Sequence, residues 1–399
     1  MNLRDIKANL AKFALQDDQL SLRLLSRLLF KPLAKEKIRN VVVYRVGNIG
    51  DTVAAIPALA ILRTALPQTR ITLLTSAGSP DLPGAKDILD AFPQLVNQVI
   101  HYLPQDAKTW EGLQQLRTRL LAQGPIDLWV SLPITMQTFH RSLQEMLMAR
   151  WLGCQFAIGF SLLLPDFFKT VYARYYKESL PKTSDWLLTM MGEALNYPAD
   201  SANPSSYLQF FQPPVPWQPC DWDINPQQPM LAVNAGAKLP IKRWYSAYFQ
   251  TTLQQLQLQF PELQILLLGN ETEKSLNEEI RDGLSGTTLN LSGQLNLSQT
   301  WSLLNQATAL FSNDTGAMHM AGLLQKTVFT PMSGQYPAPI WHPPGPPLVE
   351  YHRPVPCAPC FETKCPLSEQ ICMSLLTPEL ILPNMVQRLS TLISESSRS

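Results

Sequence analysis

The chain has 399 residues, 45% of them apolar and 16% charged, with a formal charge of +1. That length exceeds one ordinary core, so two domains with small appendages are expected, and the balanced charge excludes a chain built for general nucleic-acid binding. The longest apolar stretch, FAIGFSLLLPDFF at 156–168, is broken by Pro165 and Asp166; it falls short of the roughly 20 residues of a membrane span, so no transmembrane helix is predicted.

Residues 1 to about 36 read as amphipathic helix, with Leu3, Ile6, Leu10 and Phe13 on one face and Leu25, Leu28 and Leu29 on another. Over residues 1–39, nine Lys and Arg stand against four Asp and Glu. Such a helix can lie on an anionic membrane surface or pack on the domain with a solvated basic face. Arg4, Asp5 and Lys7 precede any apolar run and no small-residue cleavage pattern follows, so a cytoplasmic location is expected.

At Ile38 the pattern changes. NVVVYRV is a β-branched run of buried-strand type, and after a Gly turn DTVAAIPALAILRTALP reads as helix. RITLLTS (70–76), VNQVIHY (96–102) and IDLWVSLP (126–133) supply further strands with helices between them, which predicts a parallel, helix-covered sheet over 38–200. Segment 201–229 is rich in proline and reads as a linker. A second strand–helix series then runs through MLAVNAG (230–236), LQILLLG, TTLNLSG, ATALFSND and TVFTPMSG. It defines a second Rossmann-like domain over 230–380, followed by a C-terminal helix and tail at 381–399. Two doubly wound domains facing a cleft would hold a ligand at the carboxyl ends of their strands.

The loops at those ends carry the candidate chemistry. RVGNIGDTVAAIP (45–57) has Gly47 and Gly50 but neither a GxGxxG nor a Gly-Lys-Ser/Thr pattern. Asp51 opens the following helix, either as a cap or as a carboxylate held for catalysis. SNDTGAMHMAG (312–322) opens another helix, where Asp314, Thr315 and Gly316 sit among unpaired N–H groups fit for an anion, with His319 one turn inside. NAGAKLPIKRW (234–244) offers Gly236 for a tight turn and Lys238, Lys242 and Arg243 for phosphate charge; LLLGNETE (266–273) follows Gly269 with acids that could accept from ribose hydroxyls.

GDTVAAIP, GAKLPIKRW, GNETE, LSGQLNLSQTWSLLNQA and SNDTGAMHMAGLL, in this order, resemble glycosyltransferase family 9, the ADP-heptose:lipopolysaccharide heptosyltransferases, across about residues 38–380. The resemblance implies a GT-B fold, inversion at the anomeric carbon, an ADP-heptose-like donor, a lipopolysaccharide-core or related glycolipid acceptor, and no required metal or other cofactor. It makes Asp51 the general base, Lys242 the contact to donor phosphate and sugar, Glu273 the ribose acid, and Asp314, Thr315, Gly316 and His319 the donor loop. Ala237 and Lys238 stand where the family often has hydroxyl residues. Two other readings stay open: a GT-B transferase using a different nucleotide sugar, and a catalytically silent scaffold drawn to membranes by residues 1–37.

Three further segments invite function. Cys357, Cys360, Cys365 and Cys372 form CAPCFETKCPLSEQIC, which could hold structural zinc or an iron–sulfur cluster, or be free thiols. GQYPAPIWHPPGPP could order over the donor. His140, Arg141 and Arg150 could meet acceptor phosphates or be solvated.

Overall fold

A computed structural model describes residues 3–76, 84–165, 169–176, 180–213, 215–218, 222, 224–337, 339–345 and 348–396. The chain divides into two compact units, residues 1–212 with 338–340, and residues 213–337 with 341–399. Among the described residues no helix is long and apolar enough to cross a membrane.

The first unit begins with one unbroken helix, α1 (Leu3–Leu29), where two amphipathic segments were legible in the sequence. It continues through β1 (Asn40–Tyr44), α2 (Ile49–Ala65), β2 (Arg70–Thr75), α3 (Ala85–Leu89), β3 (Gln98–His101), α4 (Trp110–Leu121), β4 (Leu128–Ser131), α5 (Phe139–Trp151), β5 (Phe156–Ile158), α6 (Lys169–Tyr175), α7 (Thr183–Leu195) and α8 (Ser205–Leu208). All strands are parallel, in the order β3-β2-β1-β4-β5. β-branched Val41, Val42 and Val43 are buried on both faces of the sheet, as a helix-covered parallel strand requires. The core around Val42 gathers Leu74, Trp129, Met146 and Leu22 of α1, so the N-terminal helix is part of this unit's packing.

The second unit runs β6 (Met230–Asn234), α9 (Ser246–Gln259), β7 (Gln264–Leu267), α10 (Lys274–Arg281), β8 (Thr288–Asn290), α11 (Leu297–Gln306), β9 (Ala309–Ser312), α12 (Gly316–Leu323), β10 (Thr327–Pro331), β11 (Leu348–Tyr351), α13 (Ile371–Ser374) and α14 (Pro378–Ser396). A 3-10 turn, Glu271–Glu273, leads into α10. Its sheet order is β11-β10-β9-β6-β7-β8, again parallel throughout. Val233, Phe249, Phe311 and Trp244 centre its core.

In each sheet the strand order reverses beside the unit's first strand, between β1 and β4 and between β6 and β9. Connections from neighbouring strands leave in opposite directions there, opening a crevice at the carboxyl ends where doubly wound folds take ligands.

Candidate functional site

In the first unit the reversal point is lined by the turn after β1 and the loop after β4. Asn48 caps α2, and Asp51 Oδ2 accepts from the Asn48 N–H at 2.9 Å. The capping reading of Asp51 is therefore real, but it uses one oxygen. Asp51 Oδ1 faces Arg45 Nη2 at 3.6 Å, and the Asp51 side chain is 13% exposed. Gly47, with φ +152°, lets the turn fold back onto Asp51: a Cβ there would lie 2.4 Å from Asp51 Cβ. Gly50 falls within the first turn of α2.

Arg45 is fully buried and was not singled out from the sequence. Its Nη1 donates to the Leu132 and Pro133 carbonyls at 3.0 and 2.5 Å, and its Nη2 to the Asp51 carbonyl at 2.7 Å. Burial pulls its pKa down, while Asp51 and then Glu145 push the other way. Loop 132–138 is in turn held by Glu145 of α5: Oε2 accepts from Ser131 Oγ at 2.6 Å and Oε1 from Gln137 Nε2 at 2.6 Å. Burial raises the Glu145 carboxyl to about 7 against the pull of those two hydrogen bonds and of Arg141 and Arg45. A chain of contacts thus runs from Glu145 through the loop to Arg45 and Asp51. Arg150 donates to the Cys154 carbonyl and exposed His140 pairs with Gln144.

In the second unit the loops after β6 and β9 meet. Lys242 Nζ and Asp314 Oδ2 are 2.6 Å apart, with side chains 16% and 9% exposed. His319 Nε2 lies 3.9 Å from Asp314 Oδ1 and is buried. Asn313, fully buried, ties the two loops: its Oδ1 accepts from Trp244 N at 3.0 Å and its Nδ2 donates to the Ala235 carbonyl at 2.7 Å. Thr315 stands at the N-cap position of α12, and its hydroxyl is 3.0 Å from Ser312 Oγ. Lys242 Nζ also stands over the rings of Tyr336 and Trp341, at 5.6 and 5.8 Å, and Trp341 meets His319 edge to face. The Pro-rich segment that supplies these two aromatics is therefore part of the lysine's surroundings. Lys238 and Arg243 are exposed, and Arg243 Nε donates to the Ala237 carbonyl at 2.8 Å.

Glu273 bridges the loops after β6 and β7. Its Oε2 accepts from Asn270 N at 2.9 Å. A Cβ on Gly236 would sit 1.8 Å from Glu273 Oε1, and one on Gly269 3.0 Å from Oε2. Both glycines make room for that carboxylate. Glu271, by contrast, is exposed and pairs loosely with Lys274.

Cys357 is exposed, Cys360 and Cys365 are half-buried and Cys372 is buried, none of them in a disulfide. Among the described residues no three His, Cys, Asp or Glu side chains are arranged to hold a metal ion. Burial pushes the Cys360 thiol up.

Two parallel Rossmann-like units, each with polar loops at its reversal point, define a protein of the GT-B class. Solved structures share this fold: Escherichia coli ADP-heptose lipopolysaccharide heptosyltransferase II aligns over 90% of this chain and 100% of its own with a TM-score of 0.59 and 18% identity. E. coli heptosyltransferase WaaC with ADP-2-deoxy-2-fluoro heptose aligns over 88% and 99% with a TM-score of 0.58 and 14% identity. Within this chain, residues 188–370 match the model of glycosyltransferase family 9 (heptosyltransferase). Lipooligosaccharide heptosyltransferase 2 of Haemophilus influenzae is 29% identical over 122 residues, 29% of this chain and 35% of that protein. The alignment thus spans about a third of the length of this curated relative.

Proposed function

We propose that the chain is an inverting glycosyltransferase that moves a heptose from an ADP-heptose-like donor to a hydroxyl of a lipopolysaccharide-core or related glycolipid acceptor. One observation carries the reading. Inside the family match, Lys242 and the opening of α12 stand together at the reversal point of the second sheet, where such folds take phosphate-bearing ligands. The sugar class comes from the names of the similar heptosyltransferases.

Inversion requires the acceptor oxygen to attack the anomeric carbon while the bond to the diphosphate breaks on the opposite face. In our reading Asp51 takes the proton from that oxygen, a contribution of about 10²- to 10⁴-fold. Its Oδ2 already accepts from the Asn48 N–H, which leaves Oδ1, on the Arg45 side, to accept the proton. The departing ADP gathers negative charge, and donors preorganised at that charge lower the barrier most. Lys242 and the N–H groups at Thr315 and Gly316 fill that role, so the reaction requires no metal. Asp314, paired with Lys242 and close to His319, holds both in place. Glu273 accepts from the ribose hydroxyls, with Gly236 and Gly269 leaving the space. The cytoplasm is the expected compartment.

The test is calorimetric titration of the purified chain with ADP-, UDP- and GDP-sugars in metal-free buffer, comparing wild type with Lys242→Ala. Binding of ADP-sugar that the substitution abolishes supports the assignment. Preference for another nucleotide overturns the donor but leaves the fold class, and no binding of any sugar nucleotide favours a silent scaffold.

A further inference from the structure

Helix α1 has two apolar faces on opposite sides. One is used: Ala8, Ala11 and Leu22 are buried, Leu15, Leu25 and Leu29 pack beside the core, Gln19 donates to the Leu162 carbonyl and Tyr175 donates to Asp5 at 2.8 Å. The helix is thereby fixed on the first unit. On the other face Ile6, Leu10, Phe13, Leu20, Leu24 and Leu28 are all exposed, Phe13 by 67% and Leu28 by 82%. Their spacing of four, three, seven, four and four residues keeps all six within a narrow stripe along the helix, because 3.6 residues make a turn. A solvent-facing helix normally carries its polar residues there, and a contiguous apolar stripe on a folded surface marks an interaction site.

We propose that this stripe is a membrane-docking surface that lays α1 in the interface of an anionic lipid bilayer. The charges beside the stripe select this occupant. Exposed Lys12, Arg23 and Arg27 flank it on one side and Lys7 on the other, with Lys31 just beyond the helix end. Among exposed acids on the helix only Asp17 lies in the stripe, and Asp18 is half-buried at its edge. Long basic side chains bury their stems along apolar surface and reach up to lipid phosphates. Each adds to the attraction of an anionic leaflet. A second copy pairing through the same stripe would bring those basic flanks together, which like-charge repulsion opposes. The geometry resembles an interfacial helix in length and in its segregated apolar and basic faces. The inference does not depend on the transferase reading, since neither donor nor acceptor enters the argument.

The experiment is co-sedimentation of the full chain with phosphatidylcholine vesicles, with and without phosphatidylglycerol, in the absence of sugar nucleotide and glycolipid. Wild type is expected to partition onto the anionic vesicles at least tenfold better than onto the neutral ones, and less as salt is raised. The triple substitution Phe13→Gln, Leu24→Gln and Leu28→Gln, confined to exposed positions, is expected to lose at least tenfold of that partitioning. Lys12→Glu with Arg23→Glu and Arg27→Glu is expected to abolish the preference for anionic lipid. Circular dichroism and cooperative thermal unfolding confirm that each variant is folded. Wild-type partitioning equal to that of the folded triple variant overturns the proposal, as does a wild-type dimer in light scattering that the triple variant turns into monomer.

Discussion

Glu145 offers a sharp test of how the first unit is held together, because its carboxyl sits buried between Ser131 and Gln137 and ionises only near pH 7, up from 4.5. Folding therefore favours its protonated form. The cost of ionising it is absent below about pH 4.5 and complete above about pH 7. An interval of about 2.5 pH units at about 1.4 kcal/mol each makes the full cost about 3 kcal/mol. Glu145→Gln keeps the shape and both hydrogen bonds, since Ser131 Oγ can accept as well as donate, but it cannot ionise. The stability of Glu145→Gln relative to wild type should therefore rise by roughly 2–3 kcal/mol between pH 5 and pH 8. Urea unfolding of both proteins, followed by far-ultraviolet circular dichroism across that range, reads the difference directly; the transition that responds belongs to the first unit. A difference that stays flat with pH would refute the reasoning and mean that Glu145 is ionised at neutral pH, with Arg45 and Arg141 outweighing its burial.

Asp51→Asn should lower turnover by about 10²- to 10⁴-fold, while calorimetry finds donor affinity unchanged. Lys242→Met should weaken donor binding by roughly 10- to 100-fold, the worth of one hydrogen bond to a charged group, with the same loss read in an ADP titration. Gly47→Ala should destabilise the first unit by about 1–3 kcal/mol, since it strains a backbone at φ +152° and drives a methyl into Asp51. Its thermal midpoint and its turnover should fall together.

Much of this was legible in the sequence for a physical reason. Buried parallel strands announce themselves as continuous β-branched runs such as NVVVY, and the turns that follow them carry the glycines and acids of a site. Asp51, Lys242, Glu273, Asp314 and His319 all lie in such turns or just inside the next helix, the places to which a short-range pattern points. β5 and β11, edge strands of three and four residues and only partly buried, were not read from the sequence. Arg45, Glu145 and Asn313 were invisible for a different reason. Their partners lie 87, 14 and 69 residues away, and nothing in a local pattern says that a buried charge or amide has been satisfied at such a distance. Tyr336 and Trp341 stood in a segment already suspected of covering a ligand, but their rings around Lys242 emerge only once the loops are in place.

The nesting of Glu273 against Gly236 carries a consequence for how this protein can drift over generations. A side chain at 236 would claim the volume that the Glu273 carboxylate now fills and would turn that carboxylate out of its place. Whatever the carboxylate binds there would be lost with it. The two sites are therefore coupled, and a change at 236 acts through 273. Gly236→Ala and Glu273→Ala should be non-additive, the pair costing little more than either alone.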